Sequence, residues 1–285
     1  MKITMLGTGK AVVTECYNTC FLIQNEDQLL LVDGGGGNTI FKQFKEINCN
    51  WLNIKHIFLT HTHMDHLMGI LWLVRMFTQR MNKGRYEGEV FIYSNEEALQ
   101  IIKKIAEMLL QPSEIAFIGK RLHLIKITDG EEKEIIGQKF TFFDVKSIKT
   151  VQFGFMMNYE NGKKLTFCGD EPCHKHEEKY VKNADWLIHE AFCIKDDDKE
   201  FRPYEKNHST VDDACILAER LGVKNLILCH TEDTNIKERK EKYTKIGQKY
   251  FHGNKRNKTR NKHHSKETKS AKQRKNSFYI YPPKR

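Results

Sequence analysis

No apolar run in this sequence approaches the roughly 20 residues that cross a bilayer, so no membrane-spanning segment is expected. Paired cysteine spacing is also missing. The eight cysteines are scattered, which argues against a disulfide framework and for free thiols in a reducing cytosol. The residues after Met1, KITMLGTGKA, lack the apolar stretch and small-residue cleavage site of a secretory signal, and a cytoplasmic location is the matching expectation. Internal repeats and Pro- or Ser-rich linkers are absent up to Phe251. A chain of 285 residues can bury a substantial core, and without a linker it is read as one folded unit.

Positive charge is what the sequence has in excess, and its distribution decides its meaning. The net charge is +10, but residues 252–285 hold 12 Lys or Arg and one Glu, which leaves residues 1–251 at −1. The overall charge of the body therefore gives no support for steering a polyanion, although a local basic patch remains compatible with it. The tail, HGNKRNKTRNKHHSKETKSAKQRK, has almost no apolar side chains to bury and is expected to be disordered. Two roles stand open for it: a flexible polycation contacting nucleic-acid phosphates without sequence preference, or an extension without function. Its last stretch, SFYIYPPKR, reads as either a short strand or an aromatic anchor. The expected organisation is one folded domain over 1–251 and a basic tail over 252–285.

Within the body, KITML, CFLIQ, LLLVD, IKHIFLT, EVFIYS, HLIKI, KFTFFDV, FGFMMNY, KLTFCGD, DWLIHEA and NLILCH read as strands. Helices are expected near 38–47 and 65–81, after Asn95 as N-cap, and over HSTVDDACILAERLG, with Ser209 or Thr210 near the cap and Gly222 past the end. Many strands in two groups, each flanked by helices, imply an α/β fold of two facing sheets with helices outside.

The chemistry is read from position. His61, Asp170 and His230 follow the apolar strands ending IFLT, LTFCG and LILC, and strand ends are where rigid sheets present side chains to a ligand. HTHMDH adds His61, His63, Asp65 and His66 within six residues. Two imidazoles one residue apart can close on one ion, and an Asp with its neighbouring His can reach a second. Asp170 could bridge the pair, and His230 could complete the second ion's shell. Two ions about 3.5–4 Å apart suit hydrolysis of phosphodiester or amide-like bonds. Taken alone, Asp170 in a Gly-Asp turn is equally a turn residue, and His230 alone is evenly balanced. His56 and His123 lie within strand patterns and are read as structural, His174 and His176 as solvated, and the cysteines as core fillers.

At these residues the sequence resembles the metallo-β-lactamase superfamily, whose His-x-His-x-Asp-His mark is met at 61–66. The opening MKITMLGTGKA, LLLVDGGGG, the Gly-Asp at 169–170 and the late His230 fall in the family's order. LIHEAF (187–192) and HST (208–210) resemble elements of ribonuclease Z, the tRNA 3′-end endonuclease. The resemblance implies a four-layer αββα sandwich with metal ligands His61, His63, Asp65, His66, Asp170 and His230. It further implies one or two Zn2+, with Mn2+ or Fe2+ as alternatives, a metal-activated water as nucleophile, an RNA or small phosphodiester substrate, and a homodimer. It assigns leaving-group protonation to Glu190 and His208 and water orientation to Asp65. For Glu190, a cap or strand-end salt bridge is the competing reading.

Two departures qualify the resemblance. The family takes a third His for the first metal from the strand before the bridging Asp, yet no His occurs between His123 and Asp170. Lys146 or Ser147 stands there, so the first ion is expected to be weak, completed by water, or absent. The tRNA-grasping arm is also missing, since only about fifteen residues separate Phe155 from Asp170, enough for a hairpin. An esterase, lactonase or cyclic phosphodiesterase, and a degenerate nucleic-acid-binding member, are the alternatives this leaves open.

Overall fold

Short apolar runs bounded by Gly, Asn and Asp become strands, and each long amphipathic run becomes the helix that carries the chain to the next one. The structure, a computed structural model, describes residues 1–234, 236–253 and the backbone of 278–279. The first sheet runs in chain order through β1 (Lys2–Gly7), β2 (Cys20–Asn25), β3 (Gln28–Val32), β4 (Ile54–Phe58), β5 (Val90–Ser94) and β6 (Leu122–Lys126). β1 to β3 are antiparallel, and β3 to β6 are parallel. Parallel neighbours require crossovers, and these carry α1 (Ile40–Glu46), α2 (Met64–Asn82), α3 (Glu96–Leu109) and α4 (Pro112–Ile115).

The second sheet has β7 (Glu132–Ile135), β8 (Gln138–Asp144), β9 (Phe153–Tyr159), β10 (Lys163–Phe167), β11 (Trp186–Glu190), β12 (Leu226–Cys229) and β13 (Phe278–Tyr279), paired in that order. α5 (Glu178–Val181), α6 (Asp198–Phe201), α7 (Val211–Arg220) and α8 (Ile236–Tyr250) accompany it. Three apolar cores separate the layers. Phe21, Ile23, Phe58, Phe142, Phe155 and Phe167 fill the space between the sheets. Ile70, Leu73 and Phe77 of α2 pack on the first sheet with Ile57 and Ile92. Val211, Ala214 and Cys215 of α7 pack on the second sheet with Leu187 and Leu228. This is the four-layer αββα sandwich.

The expected caps form: Asn95 accepts from the Ala98 N–H at 2.9 Å, and Thr210 and Asp213 make a capping box at the start of α7. The short helices α4, α5 and α6 were not anticipated, nor were β7 and α8. β7 buries only Ile135 of its four residues, and α8 buries only Arg239, Tyr243 and Gly247 under a strongly charged surface. Neither has the apolar period that marks an element in sequence. The C-terminal stretch contributes a strand at Phe278–Tyr279, parallel to β12, and no helix among the described residues is long and apolar enough to cross a membrane. The basic run over 254–277, and with it the expected disorder, lies outside the described residues.

Candidate metal centre and active site

Four buried groups set the orientation of the His cluster. Asp33 directly follows β3 in the left-handed region (φ 57°), with its carboxylate reaching across to Thr60 just past β4. There it accepts from the Thr60 N–H (2.8 Å) and from the Thr60 hydroxyl (2.9 Å to Oδ2). His66 Nδ1 lies 2.8 Å from the same carboxylate, and His61 Nδ1 lies 2.9 Å from Thr60 Oγ1. A Thr hydroxyl has one proton, spent here on Asp33, so His61 Nδ1 donates to it; an ionised carboxylate only accepts, so His66 Nδ1 donates too. His61 thereby turns an unprotonated Nε2 inward, as metal-binding imidazoles do, while Asp65 and Asp33, against burial, hold the His66 imidazole well above its usual range, so that a cation bound there would displace its Nε2 proton. α2 is held against this corner by Gly34 N–H to His66 O (2.8 Å) and Gly69 N–H to Gly35 O (2.9 Å). Side chains at Gly34 and Gly69 would collide with the opposing backbone. Sequence reasoning missed Asp33, although LLLVD places it at a strand end as LTFCGD does Asp170.

All six expected ligands converge. His61, His63 and Asp170 form one group of donors, and Asp65, His66 and His230 a second, with the ligand atoms in each within 4.8 Å of one another. Asp170 Oδ2 lies between the groups, 3.5 Å from His61 Nε2, 3.5 Å from His66 Nε2 and 3.7 Å from His230 Nε2. Burial holds the imidazoles of His61 and His230 down to about 3, so both are neutral at pH 7. Burial alone would raise Asp170, yet the surrounding His61, His66 and His230 keep it well below the usual carboxylate range. Asp65 is likewise lowered, against burial, by His66 and His230. Neutral imidazoles beside ionised carboxylates are the forms that bind cations. Asp65 Oδ2 and His66 Nε2 are buried without any hydrogen-bond partner. Buried polar atoms left without a hydrogen bond are costly, and a divalent cation would satisfy them, so the residues fit a metal.

Glu190 and His208 reach the same centre. β11 ends in the fully buried Glu190, whose Oε1 accepts from the Ser209 N–H at 2.6 Å while Oε2 stands 3.6 Å from His208 Nδ1. The His208 ring stacks on His230 (centroids 5.0 Å) and on Phe192 (4.9 Å). The second oxygen of Glu190 thus faces the imidazole that stacks on His230.

The loop between β8 and β9, where a third His was sought, sends neither Lys146 nor Ser147 to the centre. Lys146 is exposed in the left-handed region (φ 60°), and Ser147 Oγ donates to Glu171 Oε1 at 2.6 Å. Instead Gln152, buried, donates from Nε2 to Asp170 Oδ1 at 2.7 Å. His56 and His123 stack on either side of Phe91, as structural residues do. His176 is not simply solvated, because its Nε2 donates to the Asp144 carbonyl at 3.0 Å. Five of the cysteines are buried, and all eight are free.

Just beyond, Glu177 is fully buried with Oε1 unpartnered, and burial pushes its carboxyl up from 4.5 to about 8. A carboxyl protonated in the folded state supports stability below its unfolded pKa and loses that support as pH rises toward the folded value. Glu177→Gln is therefore expected to melt about 4–8 °C above the parent at pH 8, and within a degree or so of it at pH 5. Thermal melts at the two pH values decide this, and parallel curves for parent and variant would remove Glu177 from the pH response.

Sequence reasoning also missed Arg239, a fully buried guanidinium on α8. It donates to Thr231 Oγ1, to the Glu232 carbonyl (3.2 Å) and to Thr8 Oγ1 (3.1 Å), tying α8 and the end of β1 to the residues after His230. No local pattern distinguishes it among the charges of IKERKEKYTK.

The profile of the family described as Anti-Pycsar protein Apyc1 matches residues 1–251. The zinc phosphodiesterase ELAC protein 2 homolog of Caenorhabditis elegans is 27% identical over 267 residues, covering 80% of this chain and 32% of that protein. The chain thus spans about a third of that relative's length. Ribonuclease Z of Archaeoglobus fulgidus is 24% identical over 278 residues, covering 80% of this chain and 86% of that one. Among solved structures, the metallo-β-lactamase fold protein YhfI of Bacillus subtilis superposes with a TM-score of 0.70 at 17% identity, covering 88% of this chain and 93% of that one.

Proposed function

This chain belongs to the Anti-Pycsar protein Apyc1 family, and from that premise and the geometry of its centre we propose a metal-dependent phosphodiesterase that cleaves RNA in the manner of ribonuclease Z, with zinc as its ion. The observation that carries the reading is the buried ion pair of Asp65 Oδ2 and His66 Nε2, 3.3 Å apart with no hydrogen bond to either atom and within reach of Asp170 and His230. His61, His63, Asp65, His66, Asp170 and His230 would hold the ions, which when bound acidify water and neutralise phosphoryl oxygens. Asp65 would orient the attacking water, and His208, oriented by Glu190, would hand a proton to the departing oxygen. An anionic substrate is favoured by Lys10 and Lys206, whose ammonium groups lie 5.3 and 5.1 Å from the Phe192 ring that stacks on His208. Two ammonium groups thus stand beside His208 although residues 1–251 carry no net positive charge. The tail, net +11 over 252–285, would add salt-sensitive phosphate contacts.

A second reading, a small or cyclic phosphodiester as substrate, is favoured by the turn at 160–162 that joins β9 directly to β10 and leaves no arm there to clamp a large RNA. The full chain is to be incubated with a tRNA precursor, a cyclic nucleotide and bis(p-nitrophenyl) phosphate, with and without chelator. Chelator-sensitive hydrolysis restored by Zn2+ or Mn2+ is expected. Cleavage of the cyclic nucleotide with RNA left intact selects the second reading, and no hydrolysis of any phosphodiester ends both.

A further inference from the structure

The two donor groups differ in their partners before any ion arrives. In the first, His61 Nε2 and His63 Nδ1 lie 2.9 Å apart and satisfy each other, and His63 is only half-buried. In the second, Asp65 Oδ2 and His66 Nε2 are buried 3.3 Å apart, and neither makes a hydrogen bond. The donor counts differ as well. The first group has two imidazoles of its own and the second has two imidazoles and a carboxylate, with Asp170 shared between them. Sharing is further restricted by Gln152. Its Nε2 donates to Asp170 Oδ1 at 2.7 Å, so one carboxylate oxygen is committed outward and Oδ2 alone faces both groups. Gln152 is itself 1% exposed, and Gly169 leaves it the space it fills, since a side chain there would overlap the Gln152 amide.

From these contacts we infer that the centre loads unequally: a divalent cation fills the group of Asp65, His66, Asp170 and His230 first and is held there, while His61 and His63 take a second ion only in excess metal. Gln152 is a positioning residue, fixing the carboxylate of Asp170 so that its single inward oxygen serves the retained ion. Four donors around one ion match the tetrahedral preference of zinc, whereas three leave the other group incomplete. The inference rests on the proposed metal-dependent function, but its readout is stoichiometry rather than turnover.

The test is native mass spectrometry of the full chain loaded with excess Zn2+ and then dialysed against a moderate chelator. One retained ion per chain is expected. The His61→Ala/His63→Ala double variant should keep it, and His66→Ala or His230→Ala should lose it. Gln152→Ala should weaken the retained ion by about 10–100-fold in a chelator competition, with an unchanged melting temperature in metal-free buffer serving as the folding control. Two ions retained with equal tenacity overturn the inference while leaving the hydrolase reading intact. Loss of the retained ion in the His61/His63 variant, with retention in the His66 variant, reverses the order of filling and also overturns it. An unchanged affinity in Gln152→Ala removes its positioning role.

Discussion

Asp170→Ala is expected to lower phosphodiester turnover by about a thousand-fold or more, equivalent to roughly 4 kcal/mol of transition-state stabilisation. The size follows from position: Asp170 Oδ2 is 3.5 Å from His61, 3.5 Å from His66 and 3.7 Å from His230, so one side chain joins both donor groups. Its removal also strands the buried Gln152 amide, at a cost of about 1–3 kcal/mol in stability. Asp170→Asn separates charge from shape. It can still accept from Gln152 but supplies no anionic oxygen, so it should keep the parental melting temperature while losing most of the activity. Initial rates on bis(p-nitrophenyl) phosphate, metal content and melting temperature are the measurements. Turnover within ten-fold of the parent in Asp170→Ala would show that the reaction is not centred here.

The centre was legible where the chemistry is local. HTHMDH declares itself within six residues, and Asp170 and His230 follow apolar strands whose ends the fold brings to one rim. β9 coincides with the expected FGFMMNY, and the cap at Asn95 follows from propensity. The supporting residues are less legible because their roles exist only through space. Asp33 acts on His66 and Thr60, distant from it in sequence, Gln152 acts on Asp170, and Arg239 reaches back from α8 to Thr8. Lys146 shows the converse hazard: its place in the order suggested a degenerate ligand, and the left-handed backbone turns that part of the loop outward. The nearest substitute is a neutral amide six residues on, which touches Asp170 rather than His61 or His63.

His208→Ala should separate two substrates that differ only in what departs. Breaking a P–O bond of RNA expels a poor, strongly basic alkoxide that needs a proton, whereas p-nitrophenolate leaves without one. The variant is therefore expected to lose about a hundred- to a thousand-fold on the former and less than ten-fold on bis(p-nitrophenyl) phosphate, with metal content unchanged. Glu190 Oε1 is committed to the Ser209 N–H, so Oε2, buried and unpartnered, is the oxygen left to face His208 Nδ1 at 3.6 Å. A small closure of that gap makes a hydrogen bond that fixes the proton on Nδ1 and leaves the other ring nitrogen for the substrate. Glu190→Gln preserves the packing but weakens that bond, and an intermediate loss confined to the poor leaving group should follow. Equal losses on both substrates would mean that His208 supports the stacked His230 ring instead of the departing oxygen, and loss of metal would make it a ligand.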